Sequence, residues 1–149
     1  MSKARRVVLL DIDSLLSHEM TEESRLSSLK EEILRDGFLR RPILVDEKTR
    51  VIIDGHHRLK ALKELGCRYI PAVLIDYLKS DVCVEPWRDC DRISKDLVIK
   101  SALSGRLLPP KTTRHVIFCE GCKRHVEFLE GEVNIPLSEL MDHARSGRR

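Results

Sequence analysis

The sequence has few aromatic residues, no long hydrophobic run and little excess of either charge. Aromatic residues make up 4% of its 149 residues, too few for the base-stacking platforms of single-strand-binding proteins. No stretch approaches the roughly 20 apolar residues of a membrane-spanning helix, and the apolar run at residues 7–10 is too short for a secretory signal. We therefore expect a cytosolic protein whose five cysteines are mostly reduced.

The charge balance argues against nucleic acid as a partner. The net charge is +3, from 27 basic and 24 acidic residues, and nucleic-acid-binding domains usually have a stronger or more clustered excess. Basic residues cluster only at the two ends of the chain and at Arg40 and Arg41. A hydrophobic share of 42% is enough for a core, and the length suits one domain, at most with a small C-terminal addition.

Hydrophobic spacing and turn residues predict a mixed α/β order of elements. The predicted strands cover residues 6–10, 43–45, 51–53 and 70–75, and the second and third of these form a hairpin. The predicted helices are one between the cap Thr21 and Gly37, one ending at Gly66, one over residues 94–104 before Gly105, and a short one near Ser138. A second hairpin is predicted over residues 116–128, and residues 78–91 show no clear period.

The sharpest local pattern is a strand that breaks at a glycine and enters a helix, in the order Asp54, Gly55, His56, His57, Arg58. The start of such a helix offers free backbone N–H groups and partial positive charge. The two imidazoles add donors, and the arginine can bind phosphate through two hydrogen bonds. We predict a site for a phosphorylated ligand here, with Asp54 as a metal ligand or acid. The plainer alternative is a capped helix with two surface histidines.

A second run of polar residues follows two prolines and consists of Lys111, Thr112, Thr113, Arg114 and His115. Its side chains and successive N–H groups can bind an anion, or it is a strand edge whose basic residues face water. The sequence alone leaves both interpretations open.

The loop pair His18 and Glu19 is a third candidate. A carboxylate at this place can serve as the general base for a substrate hydroxyl, or it is simply a charge before the first turn of the helix.

Residues His115, Cys119, Cys122 and His125 have a spacing that is compatible with zinc. The alternative is a pair of reduced cysteines at a hairpin tip, since only one Cys-x2-Cys pair is present. A bond between the two cysteines is a further possibility.

Together these motifs resemble the ParB/sulfiredoxin-like superfamily, and within it the archaeal free-serine kinases. The resemblance covers most of residues 6–118. It includes the Asp-Gly-His-His-Arg box at 54–58, the Pro-Lys-Thr-Thr-Arg-His segment at 110–115, the His-Glu pair at 18–19 and a tryptophan at Trp87. Sulfiredoxins carry their catalytic cysteine where this chain has His56. The chain differs from the kinases in lacking a long insert after Trp87 and in having the Cys-x2-Cys hairpin.

The resemblance implies a single ParB/sulfiredoxin-like domain over residues 1–118, with residues 119–149 as a small hairpin appendage. It implies transfer of a phosphoryl group from ATP or ADP to the hydroxyl of free L-serine. Glu19 is then the base, Asp54 binds Mg²⁺ or orients a catalytic group, and the helix start with His56, His57 and Arg58 holds the phosphate. The implied substrate residues are His18, Trp87, Lys111, Thr112, Thr113, Arg114 and His115.

Two other functions stay open at this point: a nucleotide-dependent DNA-binding module of the ParB kind, and a non-catalytic nucleotide sensor. The sequence does not decide between ADP and ATP as donor. It also leaves the oligomeric state open.

Overall fold

A four-stranded mixed sheet forms the centre of the computed structural model, which describes residues 6–87, 92–119 and 121–141, except the side chain of Cys119. The strands are β1 (Val7–Asp11), β3 (Ile43–Asp46), β4 (Ile52–Asp54) and β5 (Tyr69–Ile75), in the spatial order β1-β5-β3-β4. β5 is antiparallel to β1 and parallel to β3, and β3 is antiparallel to β4. The predicted α/β fold with a mixed sheet and the predicted hairpin over residues 43–53 are confirmed.

Both faces of this sheet are covered, as strand β3 shows. All four of its residues are buried, and their side chains alternate between the two hydrophobic clusters of the protein. Ile43 and Val45 belong to the cluster beneath the helices α1 (Glu23–Asp36) and α2 (His56–Glu64), and Leu44 belongs to the cluster on the opposite face. The parallel pairing of β3 with β5 fits this burial, since parallel strands are usually covered on both sides.

The second cluster is closed by the helix α3 (Lys95–Ser104) and a three-stranded antiparallel sheet. The strands of that sheet are β6 (Val82–Pro86), β7 (Thr113–Cys119) and β8 (Cys122–His125). The hairpin β7–β8 was predicted, and the pairing of Cys119 with Cys122 places its tip as expected. Strand β6 lies in the stretch without a clear period. It was not predicted, because its pairing with β7 is a long-range contact.

The helix boundaries follow local chemistry with one exception. Gly37 and Gly105 have φ values of 80° and 78° directly after α1 and α3, and the side chain of Ser94 accepts the N–H of Leu97 at the start of α3. Thr21, however, is not the cap of α1. The cap is Glu22, which makes no side-chain capping bond, while its backbone N–H donates to Nε2 of His57 at 2.9 Å.

The segment after β8 is packed into both clusters. Val126 and Leu140 are fully buried, one in each cluster, and a two-residue strand β9 (Ile135–Pro136) pairs with β2 (Phe38–Leu39). The predicted short helix near Ser138 is a 3-10 helix over Leu137–Leu140. The division of the chain at residue 118 stays a prediction.

Several predictions fall on residues outside the described ranges. They concern the basic residues at 1–5, the hairpin residue 120 and the polar tail from 142 to 149. Within the described ranges, no helix has the length and apolar character needed to cross a bilayer.

Candidate active site

The turn from β4 into α2 requires a glycine for two reasons. Gly55 has a φ of 109°, which side chains of L-residues rarely allow. A Cβ at this position would also overlap the side chain of Ile43, whose own Cβ would be 2.9 Å away. With glycine at this position the chain can pass close to the Ile43 side chain, and the helix begins at His56 directly after the strand. The start of α2 thereby lies in the wall of a pocket that Gly55 and His56 line.

His56 and His57 hold the loop that carries Glu19. Nε2 of His56 accepts the backbone N–H of His18 at 3.1 Å, and Nε2 of His57 accepts that of Glu22 at 2.9 Å. Burial lowers the pKa of both rings, and the neighbouring His18 lowers that of His56 further. Each ring is therefore neutral at neutral pH and carries its proton on Nδ1. This link between the turn and the loop was not predicted.

Arg58 supports the turn from beneath. Its Nη1 donates to the carbonyl oxygen of Pro42 and, at 3.0 Å, to Glu130. Its Nη2 donates to Oδ2 of Asp54 at 3.2 Å, and 16% of its side chain is exposed. Both terminal nitrogens are thus bonded to the protein in this structure. The predicted two-bond contact of Arg58 with a phosphate stays a prediction.

Glu130 is a site residue that sequence reasoning missed. Its side chain is fully buried beside Asp54, and its Oε1 accepts hydrogen bonds from Arg41 and Arg58 at 3.0 Å each. No motif surrounds it in the sequence. Only the return of the C-terminal segment to the centre of the fold brings it there, so no local signal could have identified it.

Asp54 and Glu130 have opposite pKa shifts. Burial and the hydrogen bond with Asp54 raise the pKa of Glu130 to about 9. Burial alone would raise the pKa of Asp54, but the hydrogen bond with Glu130 and the charge of Arg58 outweigh it and lower the pKa to about 2. The opposite shifts indicate that the two neighbouring carboxyls share one proton at neutral pH, with Asp54 as the more acidic and Glu130 as the less acidic member of the pair.

The carboxylate of Glu19 is held by the segment that was predicted to bind anions. Its Oε1 accepts the N–H of Thr113 at 2.9 Å and the Thr113 hydroxyl group at 2.7 Å. Its Oε2 accepts the N–H of Lys111 at 3.2 Å, and Thr112 contributes a longer N–H contact of 3.3 Å. Lys111 has a φ of 57°, and this left-handed conformation turns successive N–H groups toward one point. Two of the predicted motifs are therefore in direct contact.

Two predicted substrate residues lie beneath the pocket. His18 has 0% exposure, and its ring nitrogens contact the Ile52 carbonyl oxygen at 2.8 Å and the Thr113 hydroxyl at 3.0 Å. His115 is also buried, and its Nε2 lies 2.8 Å from the Tyr77 hydroxyl. Burial lowers the pKa of His18 to about 4 and that of His115 to about 3. Their predicted contact with substrate stays a prediction.

The pocket has a volume of about 540 Å³ and one aromatic wall. Trp87 is half exposed, and the guanidinium of Arg114 lies 5.1 Å from the centre of its ring, a cation–π distance. The hydroxyl of Thr112 is used locally, as a donor to the carbonyl of Pro109 at 2.6 Å. The pocket brings together residues from distant parts of the chain, among them Glu19, Asp54, His57, Trp87, Lys111 and His125.

The fit of the predicted metals differs between the two sites. The carboxylate of Asp54 is ionised and lines the pocket, which suits Mg²⁺, because that ion often uses one or two carboxylates together with substrate phosphates. At the hairpin tip, Cys122 is an exposed free thiol, whereas His115 is directed to Tyr77. In the described ranges no three His, Cys, Asp or Glu side chains are grouped to hold a metal. The zinc site stays a prediction.

Known proteins share both the sequence and the fold of this chain. The ParB N-terminal domain matches residues 2–83. An ATP-dependent L-serine kinase from Staphylothermus marinus is 40% identical over 84 residues, which is 54% of this chain and 33% of that protein. The ADP-dependent L-serine kinase SerK of Thermococcus kodakarensis is 32% identical over 84 residues, 54% of this chain and 35% of the relative. The matched stretch is thus about a third of the length of these two relatives.

Two further comparisons extend this picture. A ParB-like protein from Sulfolobus acidocaldarius is 37% identical over 94 residues, 60% of this chain and 47% of the relative. The solved structure of a free serine kinase in complex with AMP has a TM-score of 0.79 at 18% identity and covers 94% of this chain and 95% of its own, so the two share a fold. Since the domain match covers more than half of the residues, the chain belongs to the ParB N-terminal domain family.

Proposed function

We propose that this protein transfers a phosphoryl group from a nucleotide to the hydroxyl of free L-serine and so forms O-phosphoserine. The observation that carries the proposal is that the Glu19 carboxylate and the start of α2 line one pocket. Transfer to a hydroxyl needs a base and a phosphate-binding group in the same cavity. Two relatives named L-serine kinases support serine as the acceptor. The AMP and ADP complexes of the free serine kinase support a nucleotide as the donor.

In this proposal Glu19 takes the proton of the serine hydroxyl, while the N–H groups of residues 111–113 hold its carboxylate in place. The transferring phosphate lies at the start of α2, where Gly55 leaves the first N–H groups without a capping side chain. His56 and His57 add their Nδ1 protons as donors, because their Nε2 atoms are already acceptors. Arg58 stabilises the turn and contributes positive charge.

We assign the recognition of serine to the part of the pocket wall that includes Trp87, Lys111 and Thr113. Lys111 and Arg114 offer positive charge for the serine carboxylate, and their side chains are 56% and 39% exposed. Trp87 forms the wall against which the small substrate lies. Thr112, Thr113, His18 and His115 shape this wall from behind.

Mg²⁺ would be held by Asp54 together with phosphate oxygens, and it would neutralise charge on the phosphates. The donor stays open between ATP and ADP, since one relative is named ATP-dependent and another ADP-dependent. We further propose that the protein works in the cytoplasm. The free thiols of Cys67, Cys83 and Cys122 fit a reducing compartment.

A second candidate is a nucleotide-binding ParB-like module without kinase activity, either a sensor or a DNA-binding domain. The family membership and the ParB-like relative favour it. The position of Glu19 favours the kinase, because binding a nucleotide requires no hydroxyl-activating base. Salt-sensitive binding of duplex DNA would support the DNA-binding form of this candidate.

The proposal is tested by incubating the purified protein with Mg²⁺ and free L-serine, with ADP in one reaction and ATP in another. O-phosphoserine in either reaction establishes the kinase and identifies its donor. If both reactions lack product while the protein still binds nucleotide, the kinase proposal is wrong and duplex DNA is the next ligand to test.

A further inference from the structure

Three hydrogen-bonded side chains lead from the pocket wall into the interior of the protein. Oε1 of Glu19 lies 2.7 Å from Oγ1 of Thr113, and Oγ1 lies 3.0 Å from Nε2 of His18. The other ring nitrogen of His18, Nδ1, lies 2.8 Å from the carbonyl oxygen of Ile52. Glu19 lines the pocket, whereas Thr113 and His18 are buried. The series of contacts therefore begins at the pocket and ends beneath it.

This series of contacts is one proton short. A carbonyl oxygen only accepts hydrogen bonds, so Nδ1 of His18 must carry a proton. Burial lowers the pKa of His18 to about 4, and at neutral pH the neutral ring therefore has no proton on Nε2. The Thr113 hydroxyl has a single proton for its contacts with Glu19 and His18. If this proton is donated to Glu19, the lone pairs of Oγ1 and of His18 Nε2 face each other. If it is donated to His18, the lone pairs of Oγ1 and of Glu19 Oε1 do so. Burial makes such an unsatisfied contact costly.

We propose that Thr113 and His18 are positioning residues that help Glu19 to keep the proton it removes from the acceptor hydroxyl. With that proton on Oε1, Glu19 donates to Oγ1, Thr113 donates to Nε2, and each contact contains one proton. This inference rests on the proposed function. In the balanced step, the serine oxygen forms the new O–P bond and the bond from phosphorus to the nucleotide oxygen breaks. The shortened nucleotide leaves with that electron pair, and the hydroxyl proton stays on Glu19.

Further groups surround the three side chains. The carboxylate of Glu19 also accepts the backbone N–H groups of residues 111–113. The rings of His56 and His115 lie 4.4 and 5.7 Å from that of His18, and the pKa of each is lowered. Among the described residues, the charge of Asp54 acts on His18, and Lys111, whose N–H binds Glu19, lies with its Nζ 3.9 Å from Glu22.

The inference is tested on the full chain by nitrogen-15 NMR of the histidine rings, followed as a function of pH. The His18 signals are identified by their loss in His18→Gln. When Glu19 takes up a proton, the Thr113 hydroxyl turns to Nε2, so the Nε2 resonance should move in one step although the ring itself stays neutral. Thr113→Val should abolish this step, and Thr113→Ser should restore it. Thr112→Val is the matched control, because it removes a neighbouring hydroxyl that donates to Pro109 instead, and the step should persist.

Turnover provides the second measurement. Thr113→Val removes the hydrogen bond between the Thr113 hydroxyl and Glu19, and kcat should therefore fall about 10–100-fold. The KM for the nucleotide should stay unchanged, and the acidic limb of the pH–rate profile should shift. Thr113→Ser should recover most of the rate. An active wild type whose Nε2 step is unchanged in Thr113→Val would overturn the inference. If the wild type is inactive but still shows the step, the proposed function is wrong. The three hydrogen-bonded side chains then have no catalytic role.

Discussion

Among single residues, Glu19 has the contacts that a positioned base requires, because four hydrogen bonds from residues 111–113 fix its carboxylate. Glu19→Gln keeps the shape of the side chain but removes its basicity. We expect kcat for O-phosphoserine formation to fall by about 10²–10⁴-fold, while the Kd of the nucleotide, measured by calorimetry, stays unchanged.

Glu22→Gln is the matched control for this prediction, because Glu22 lines the same pocket and its backbone contact with His57 is kept in the variant. It should lower kcat much less than Glu19→Gln does. Near wild-type turnover in Glu19→Gln would remove Glu19 from the mechanism.

Glu130 allows a second prediction, since the protonated form inferred for it resembles glutamine. In Glu130→Gln the amide oxygen can accept from Arg41 and Arg58, and the amide nitrogen can donate to Asp54. We expect the free energy of unfolding in urea at pH 7 to change by less than about 1 kcal/mol.

Glu130→Ala should instead cost about 3 kcal/mol or more, because it removes the buried hydrogen-bond partner of Asp54, Arg41 and Arg58. Equal losses in the Gln and Ala variants would show that Glu130 is ionised in the folded protein, contrary to the pKa of about 9.

The turn between β4 and α2 gives a prediction for an element. Gly55→Ala combines an unfavourable φ with overlap against Ile43. Gly66→Ala also places a side chain at a positive φ, of 89°, but no atom lies within 4 Å of its Cβ. We expect Gly66→Ala to lose about 1 kcal/mol of stability in urea unfolding. The loss in Gly55→Ala should be larger by at least about 1–3 kcal/mol, together with weaker nucleotide binding. Equal losses would show that β3 and α2 can move apart at this turn.

The elements that the sequence predicts well are those determined by neighbouring residues. Gly37 and Gly105 end helices because a positive φ is a local property of glycine. Strand β6 was not predicted, because it is stabilised by pairing with β7, which lies about 30 residues further along the chain. The start of α1 differs from the prediction by one residue, with Glu22 as the cap in place of Thr21.

For the whole molecule, the sequence predicted the site motifs but not the way in which they are connected. The boxes at residues 54–58 and 110–115 contain chemistry that is visible in a linear sequence. The contacts between Glu19 and Thr113, and between Arg58 and Glu130, join residues 94 and 72 positions apart. Such pairs follow from the packing of the sheet and the C-terminal segment, and no periodicity in the chain encodes them.

The stability of the whole protein should depend on pH through groups whose protonation changes on folding. His18, His56 and His115 have lowered pKa values, so the unfolded chain binds more protons than the folded one below about pH 6.5, and stability falls on acidification.

Glu130 has a pKa raised from 4.5 to about 9, so the folded state binds the extra proton between these values, and this contribution falls as the pH rises. Three histidines outweigh one carboxyl on the acidic side, and urea unfolding should therefore show maximal stability near pH 7 with a decline toward pH 9. Glu130→Gln cannot ionise and should flatten that decline. A decline of unchanged slope in Glu130→Gln would assign it to another group and contradict the raised pKa of Glu130.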